Sequence, residues 1–352
     1  MMIGKVRRID PWRVFIFLVI SGGLLLQSSC VQSMPGAKES KPAPTEERAQ
    51  KSLLYQSENY IVYKVIGGET PATLAKRFLG DEKKAWVIED ENNGVSFEKD
   101  QWIVIPLKDK NKGGLQSDGY KVVPILSYQD FAEKCEAPHC TPRKIFISQM
   151  NYLKENGYRV ISLKELLGFL EYKHGIPEKS VVITVDDGYR SFYTIAYPIL
   201  REYGFRATVF ISTDFMRKSK NRVTWNQLKK IKADGFEVGS GCVSRTDLTK
   251  KKKKEREKAY FKRIETELVR SKKIIDQKLR QKTIHLAFPY GGYNQRILQL
   301  SEGAGYKIGL SVRKGSNPFF ADPLSLKRNR IIHRDMKRFI ASLETFKKFS
   351  LE

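Results

Sequence analysis

Long hydrophobic runs are missing from this sequence. Its most apolar stretch, Val14–Leu26 (VFIFLVISGGLLL), is 13 residues long, whereas a membrane-spanning helix needs ~20. Acidic residues are scarce as well: 39 Asp and Glu stand against 64 Lys and Arg, a formal charge of +25. Cysteines number four and histidines four. No Gly-rich phosphate loop follows the first strand of the C-terminal part, which argues against a nucleotide-binding sheet. What is present suffices for a real core. The chain has 352 residues, more than one domain usually needs, and 41% hydrophobic residues with 19 Phe exclude general disorder.

Residues 1–30 read as a signal peptide. Lys5, Arg7, Arg8 and Arg13 form a positive region ahead of the apolar run, and Ser28 and Ser29 precede Cys30. The ending resembles a bacterial lipoprotein lipobox, which implies lipidation of Cys30 and a membrane anchor. Gln27 stands where the lipobox usually has Leu, and an ordinary secretory signal with an incidental Cys is the alternative. Export leads to an oxidising compartment, so Cys135 and Cys140, which bracket CEAPHC, are expected to form a local disulfide. With His139 between them they are too few ligands for a structural zinc. The charge then suits anionic envelope partners (phospholipid head groups, lipopolysaccharide, teichoic acids, acidic glycans) rather than nucleic acid, and part of it simply solvates helices.

Residues 31–57 are rich in Pro, Ser, Lys and Glu and read as a flexible tether. Residues 58–108 read as a small α+β unit in the order βααβ. Tyr60–Ile66 alternates like a strand; Thr70–Leu79 has helical spacing at Leu74 and Phe78; Asp81 can cap a second helix carrying Trp86 inward; Trp102–Pro106 closes the unit. Tyr60/Val62, Gly68-Glu69-Thr70, Leu74-Ala75, Asn92 or Asn93, and Ile105-Pro106 together make this unit resemble LysM, a module that binds N-acetylglucosamine-containing glycans. The alternative is a spacer of the same topology without a glycan groove. Residues 109–119 read as a Lys/Gly linker.

From residue 120 to 350 strands alternate with helices. The expected strands are Val122–Leu126, Arg159–Ile161, Val181–Val185, Ala207–Ile211, Phe236–Gly239, Ile284–Phe288 and Lys307–Ser311. Helices are expected around Ser148–Asn156, Leu163–Tyr172, Phe192–Tyr203, Thr224–Asp234, Lys250–Arg280 and Gln295–Gly303. Repeated β-α-β units imply an α/β fold, here a distorted (β/α) barrel of about seven strands. The run Lys250–Arg280 opens with five lysines. Its apolar Ile264, Leu268, Ile275 and Leu279 should pack on the barrel, and its basic side is either solvated or faces an anionic surface.

Reacting groups of such barrels gather at the C-terminal ends of the strands. Here those ends read Tyr128-Gln129, Asp186-Asp187-Gly188, Ser240-Gly241-Cys242 and Pro289-Tyr290-Gly291. Adjacent buried carboxylates are costly without partners, although Asp-Asp-Gly can also be a plain turn. Thr184–Gly188 (TVDDG), Phe236–Thr249 (FEVGSGCVSRTDLT), Phe288–Gly292 (FPYGG), Thr224–Leu228, Leu326–Ile331 (LKRNRI) and Leu126–Asp130 (LSYQD) occur in an order that resembles the polysaccharide deacetylases of the NodB-homology type, carbohydrate esterase family 4. The resemblance runs from about Val122 to Phe349. It implies that Asp186 is the general base and that Asp187 binds a divalent metal such as zinc, together with two His that this chain lacks. The metal-ligand positions hold Gly241 and Arg245, and the opening Tyr-His, which supplies the general acid, is Tyr128-Gln129.

Asp187 alone is left as a metal ligand, where catalytic zinc sites keep three, so no bound cofactor is expected. A divalent ion ~4 Å from Arg245 would meet repulsion of ~8 kcal/mol at an effective dielectric of ~20. Arg245 is expected instead to occupy the metal position and pair with Asp187, Asp186 or both. Cys242, His285 and His333 are the groups a rebuilt metal site could use, with His285 at the wrong end of its strand. Tyr290, Pro289 and Trp225 are candidates for a sugar groove, with a packing role the alternative for Trp225. Three functions follow: an exported envelope N-deacetylase of peptidoglycan or exopolysaccharide with altered chemistry, a non-catalytic glycan-binding descendant, or a structural envelope protein.

Overall fold

A computed structural model describes residues 52–349 apart from Gly94, Lys110, Ser219 and His333. The expected signal peptide with Cys30, most of the tether, and His333 therefore lie outside the described residues. No helix among the described residues is long and apolar enough to cross a membrane.

The small N-terminal unit holds β1 (Leu53–Gln56), β2 (Tyr60–Lys64), α1 (Pro71–Leu79), α2 (Ala85–Glu91) and β3 (Trp102–Pro106). The strands form one antiparallel sheet in the order β1-β2-β3. Alternation along β2 and β3 buries Ile61, Tyr63, Ile103 and Ile105 against Leu74, Ala75 and Ile88. Thr70 caps α1 through a capping box with Thr73, and Gly80 ends it at φ 73°. Two expectations need correction. Leu53–Gln56 belongs to the sheet, not to the tether, because its edge pairs with β2. Trp86 is half-buried, and Ile88 fills the core in its place. Residues two apart on a helix face different ways, so one short helix cannot bury both. Asp81 caps a single 3-10 turn, Glu82–Lys84, that precedes α2.

The larger part contains β4 (Leu115–Gln116), β5 (Gly119–Tyr128), β6 (Asp130–Ala132), β7 (Cys140–Pro142), α3 (Arg143–Glu155), β8 (Arg159–Val160), α4 (Leu163–Leu170), β9 (Ser180–Val185), α5 (Tyr197–Glu202) and β10 (Thr208–Ile211). After these come α6 (Thr213–Lys218), α7 (Trp225–Ala233), β11 (Glu237–Ser240), α8 (Glu257–Leu279), β12 (His285–Ala287), α9 (Gln295–Gly303), β13 (Ile308–Leu310), β14 (Ser316–Pro318), β15 (Asn329–Arg330), α10 (Met336–Ala341) and β16 (Phe346–Lys348). The central sheet runs β13-β12-β11-β10-β9-β5, all parallel. All six residues of β9 are buried, as befits a strand covered on both faces.

The sheet curls into a barrel whose seventh position differs from the expected one. Arg159–Val160 pairs only with the start of β9, off the ring. The gap between β13 and β5 is bridged by Leu326–Arg330. Leu326 pairs with Leu310 on one side, and Asn329 and Arg330 pair with Leu126 and Ser127 on the other. Backbone bonds from Ser311 N to Leu326 O (2.9 Å) and from Ile331 N to Ser127 O (3.0 Å) seal both seams. The core beneath the helices centres on Leu126, Ile183, Val185, Val209, Ile211, Phe192 and Phe236. Helix α8 buries Ile264, Leu268, Ile275 and Leu279 but starts at Glu257, later than expected. Lys250–Lys254 is irregular, since like charges three and four apart oppose a helix. Cys135 and Cys140 form a disulfide with Cα atoms 6.1 Å apart.

Candidate functional site

The strand ends of the parallel barrel converge on one mouth, and a cavity of about 170 Å³ opens there. Gln129 stands beyond β5, Asp186 and Asp187 beyond β9, Ser212 beyond β10, Gly241 beyond β11, and Pro289 and Tyr290 beyond β12. Arg245 and His139 reach the same cavity from their loops. Trp225 does not line it. It packs at the start of α7 against the core, because Thr224 caps that helix and its first turn faces inward. Trp225 thus takes the packing role given as its alternative and stands outside this cavity.

Each carboxylate has its own cation. Arg245 Nη2 lies 2.9 Å from Asp187 Oδ2, and Gln129 Nε2 donates to the same oxygen. Arg222 Nη1 donates to the Asp187 carbonyl at 3.0 Å, its guanidinium stacked 3.8 Å from the Tyr189 ring. Asp186 Oδ1 accepts from Arg328 Nη1 at 2.8 Å, and its Oδ2 accepts from Ser127 Oγ at 3.1 Å. Arg245 therefore pairs with Asp187 and leaves Asp186 to Arg328. Arg328 is 2% exposed and also donates from Nε to Ser311 O at 2.8 Å. A buried charge demands such partners.

The backbone at the mouth is conformationally costly. Asp187, Cys242, Arg245 and Tyr290 have φ between 56° and 68°, the left-handed region that side chains disfavour. The loop that carries Arg245 is held by Glu267 of α8. This buried carboxylate accepts from Val243 N and Ser244 N, both at 2.9 Å, and from Ser244 Oγ at 2.6 Å. Motif spacing did not single out Glu267, Arg222 or Ser127. For Glu267 a signal existed, an acidic residue on the apolar face of an amphipathic helix. Arg328 was read only as part of LKRNRI.

A divalent metal does not fit these residues. Position 241 has no side chain, a guanidinium occupies the space beside Asp187, and Gln129 spends its amide on the same oxygen. No cluster of three or more His, Cys, Asp or Glu able to hold a metal exists among the described residues. The Cys242 thiol is fully buried, and burial with Glu267 nearby pushes it well up, away from thiolate. His285 is buried at the opposite end of its strand, 4.0 Å from Glu237.

Burial pushes the Asp187 carboxyl above the ordinary carboxylate range more strongly than Arg245 pulls it down; Asp186 adds to the rise, while Gln129 and Arg222 oppose it. A raised value means that the folded chain keeps a proton the unfolded chain has released. The contribution of Asp187 is then fully present below the ordinary value and lost as pH rises through the raised one. Asp187→Asn removes this dependence. Relative to the parent chain it is expected to gain stability as pH climbs above about 4, the ordinary carboxylate value, read as the change in urea midpoint difference. A difference that falls over that range contradicts the assignment.

A model of the family described as "Polysaccharide deacetylase" matches residues 173–309. YxkH of Bacillus subtilis (strain 168) is 28% identical over 209 residues, 59% of this chain and 71% of that one. A poly-beta-1,6-N-acetyl-D-glucosamine N-deacetylase of Staphylococcus aureus (strain MRSA252) is 30% identical over 174 residues, 48% of this chain and 60% of that relative's length. Among solved structures, Streptococcus pyogenes deacetylase PplD superposes with a TM-score of 0.57 at 28% identity, over 63% of this chain and 98% of that one. IcaB from Ammonifex degensii shares the fold at 22% identity and a TM-score of 0.55, over 64% of this chain and 97% of that one. With these likenesses centred on the strands that build the mouth, the C-terminal part of this chain is similar in sequence and fold to polysaccharide deacetylases.

Proposed function

We propose that this chain is an exported envelope protein that binds an N-acetylglucosamine-containing glycan at the barrel mouth without hydrolysing it by the family's metal route. One observation carries this reading: Arg245 stands 2.9 Å from Asp187, on the carboxylate that would hold the metal. The glycan class comes from the relatives, one of which is by name a deacetylase of poly-N-acetylglucosamine. Tyr290, 65% exposed at the rim, offers a ring face for a sugar. The LysM-like unit would add a second glycan contact. The signal-like N-terminus with Cys30 supports export and a lipid anchor, and peptidoglycan or an exopolysaccharide is the ligand in reach.

A hydrolytic reading is favoured by one feature, the retained Asp186 with Arg328 and Ser127 around it. The two readings separate in a single assay. The purified chain is incubated with N-acetylglucosamine oligomers, with and without added zinc, while acetate release and binding are followed together. Binding without acetate release in either condition is expected. Zinc-stimulated acetate release would overturn the non-catalytic reading.

A further inference from the structure

The small cavity at the carboxylates adjoins a larger one of about 440 Å³ along Val312, Arg328, Arg330, Ile331 and Ile332. Arg328 and Arg330 line both cavities, and the two differ in their carboxylates. At the first, Asp187 and Asp186 match Arg245 and Arg328. The second is lined by Lys314, Arg330 and Arg338 together with Arg328, and by no Asp or Glu among the described residues. Lys314 and Arg330 have no ion-pair partner among the described residues. Phe339, Ile332 and Val312 supply apolar wall between these cations. The enclosure is braced from behind: Asn329 Oδ1 accepts from Gly315 N at 3.1 Å, and its Nδ2 donates to Ser342 O at 2.9 Å. The segment that closes the barrel thus also shapes this cavity.

Lys314 and Arg330, two cations without an ion pair on one concave site, raise the local potential and favour an anion there. An Arg fork beside a Lys suits a carboxylate or a phosphate, and apolar wall suits the carbon skeleton that bears it. We propose that the second cavity receives an anionic substituent, carboxylate or phosphate, on the sugar next to the one held at the mouth. The ligand is then an acidic glycan, and the inference rests on the glycan-binding reading given above.

The test compares three probes on the full chain by calorimetry. They are a neutral N-acetylglucosamine tetrasaccharide, a tetrasaccharide in which alternate sugars carry a lactyl carboxylate, and a phosphorylated N-acetylglucosamine oligomer. One charge-assisted hydrogen bond is worth about a tenfold gain in affinity. At least one acidic probe is therefore expected to bind about tenfold tighter than the neutral one, and which of them does so identifies the anion. The double variant Lys314→Gln/Arg330→Gln should bring the acidic-to-neutral ratio close to one, as should raised salt. Both side chains are exposed, so the variant is expected to fold, and its melting curve checks this. If the neutral probe binds and neither acidic one binds better, the anion site falls while the glycan reading stands. If no probe binds, both fall. A preference that survives the double variant also overturns the proposal.

Discussion

The triple variant Gln129→His, Gly241→His, Arg245→His is expected to bind one zinc ion per chain, tightly enough to survive dialysis, where the parent chain retains none. The three backbones already face Asp187 from the ends of β5 and β11 and from the Glu267-held loop. The substitution at 245 removes the cation that repels the metal, an effect on the order of 8 kcal/mol at ~4 Å and an effective dielectric of ~20. Even half of that is about a thousandfold in affinity. The two added ligands at 241 and 245 bring the protein set to three, the number that open catalytic zinc sites keep. Position 241 sets the difficulty. A Cβ there meets Ser212 Oγ at 3.2 Å and the Ile211 carbonyl carbon at 3.4 Å. The hydroxyl can turn aside, although it loses its 2.8 Å bond to the Gly241 carbonyl. Metal analysis by mass spectrometry decides. One equivalent of zinc on the parent chain, or none on the triple variant, would remove the claim that Arg245 has taken over the metal position.

Arg328→Met is expected to lower stability by about 3–5 kcal/mol, the loss typical when one partner of a buried ion pair is removed. The side chain is among the largest fully buried ones in the described residues. It joins three strands of the ring: Asp186 beyond β9 at 2.8 Å, Ser311 beyond β13 at 2.8 Å, and its own segment between β13 and β5. Without it Asp186 keeps only Ser127 among its side-chain partners. Adding Asp186→Asn to Arg328→Met should recover part of the loss, because the uncompensated charge is then gone. The double-mutant cycle, read by urea unfolding, gives the coupling. A single variant within ~0.5 kcal/mol of the parent would show that the pair is not what holds the seam.

Much of this architecture was readable before any coordinates. Six of the seven expected strands lie in the ring, because strands buried on both faces leave dense apolar runs such as VVITV. The Asp-Asp pair, the missing histidines and Arg245 were visible as motif positions. Other features depend on distance in space. Arg328 lies 142 residues from Asp186 in sequence, and a lone Arg among Lys and Arg in LKRNRI carries no mark of burial. The ring's seventh member escaped detection because Leu326–Arg330 is short and basic, unlike a barrel strand. Trp86 was misplaced, and Trp225 was left between groove and packing, for a common reason. Ring size says that a residue is costly to expose but not which face of its helix turns inward.

Strand β5 pairs with five others: β4 just before it, β9 some 55 residues on, and β14, β15 and β16 at the far end of the chain complete its backbone bonds, with Ser316 opposite Pro124, Asn329 opposite Leu126 and Phe346 opposite Lys121. The first barrel strand to emerge in synthesis is thus among the last to be completed. Its late partners lie roughly two hundred residues downstream, and loop closure over such separations is slow. Until they arrive, a ten-residue apolar strand waits with an open edge. Under the proposed export across a membrane, this order of events would keep the barrel unlocked until nearly all of the chain has passed through.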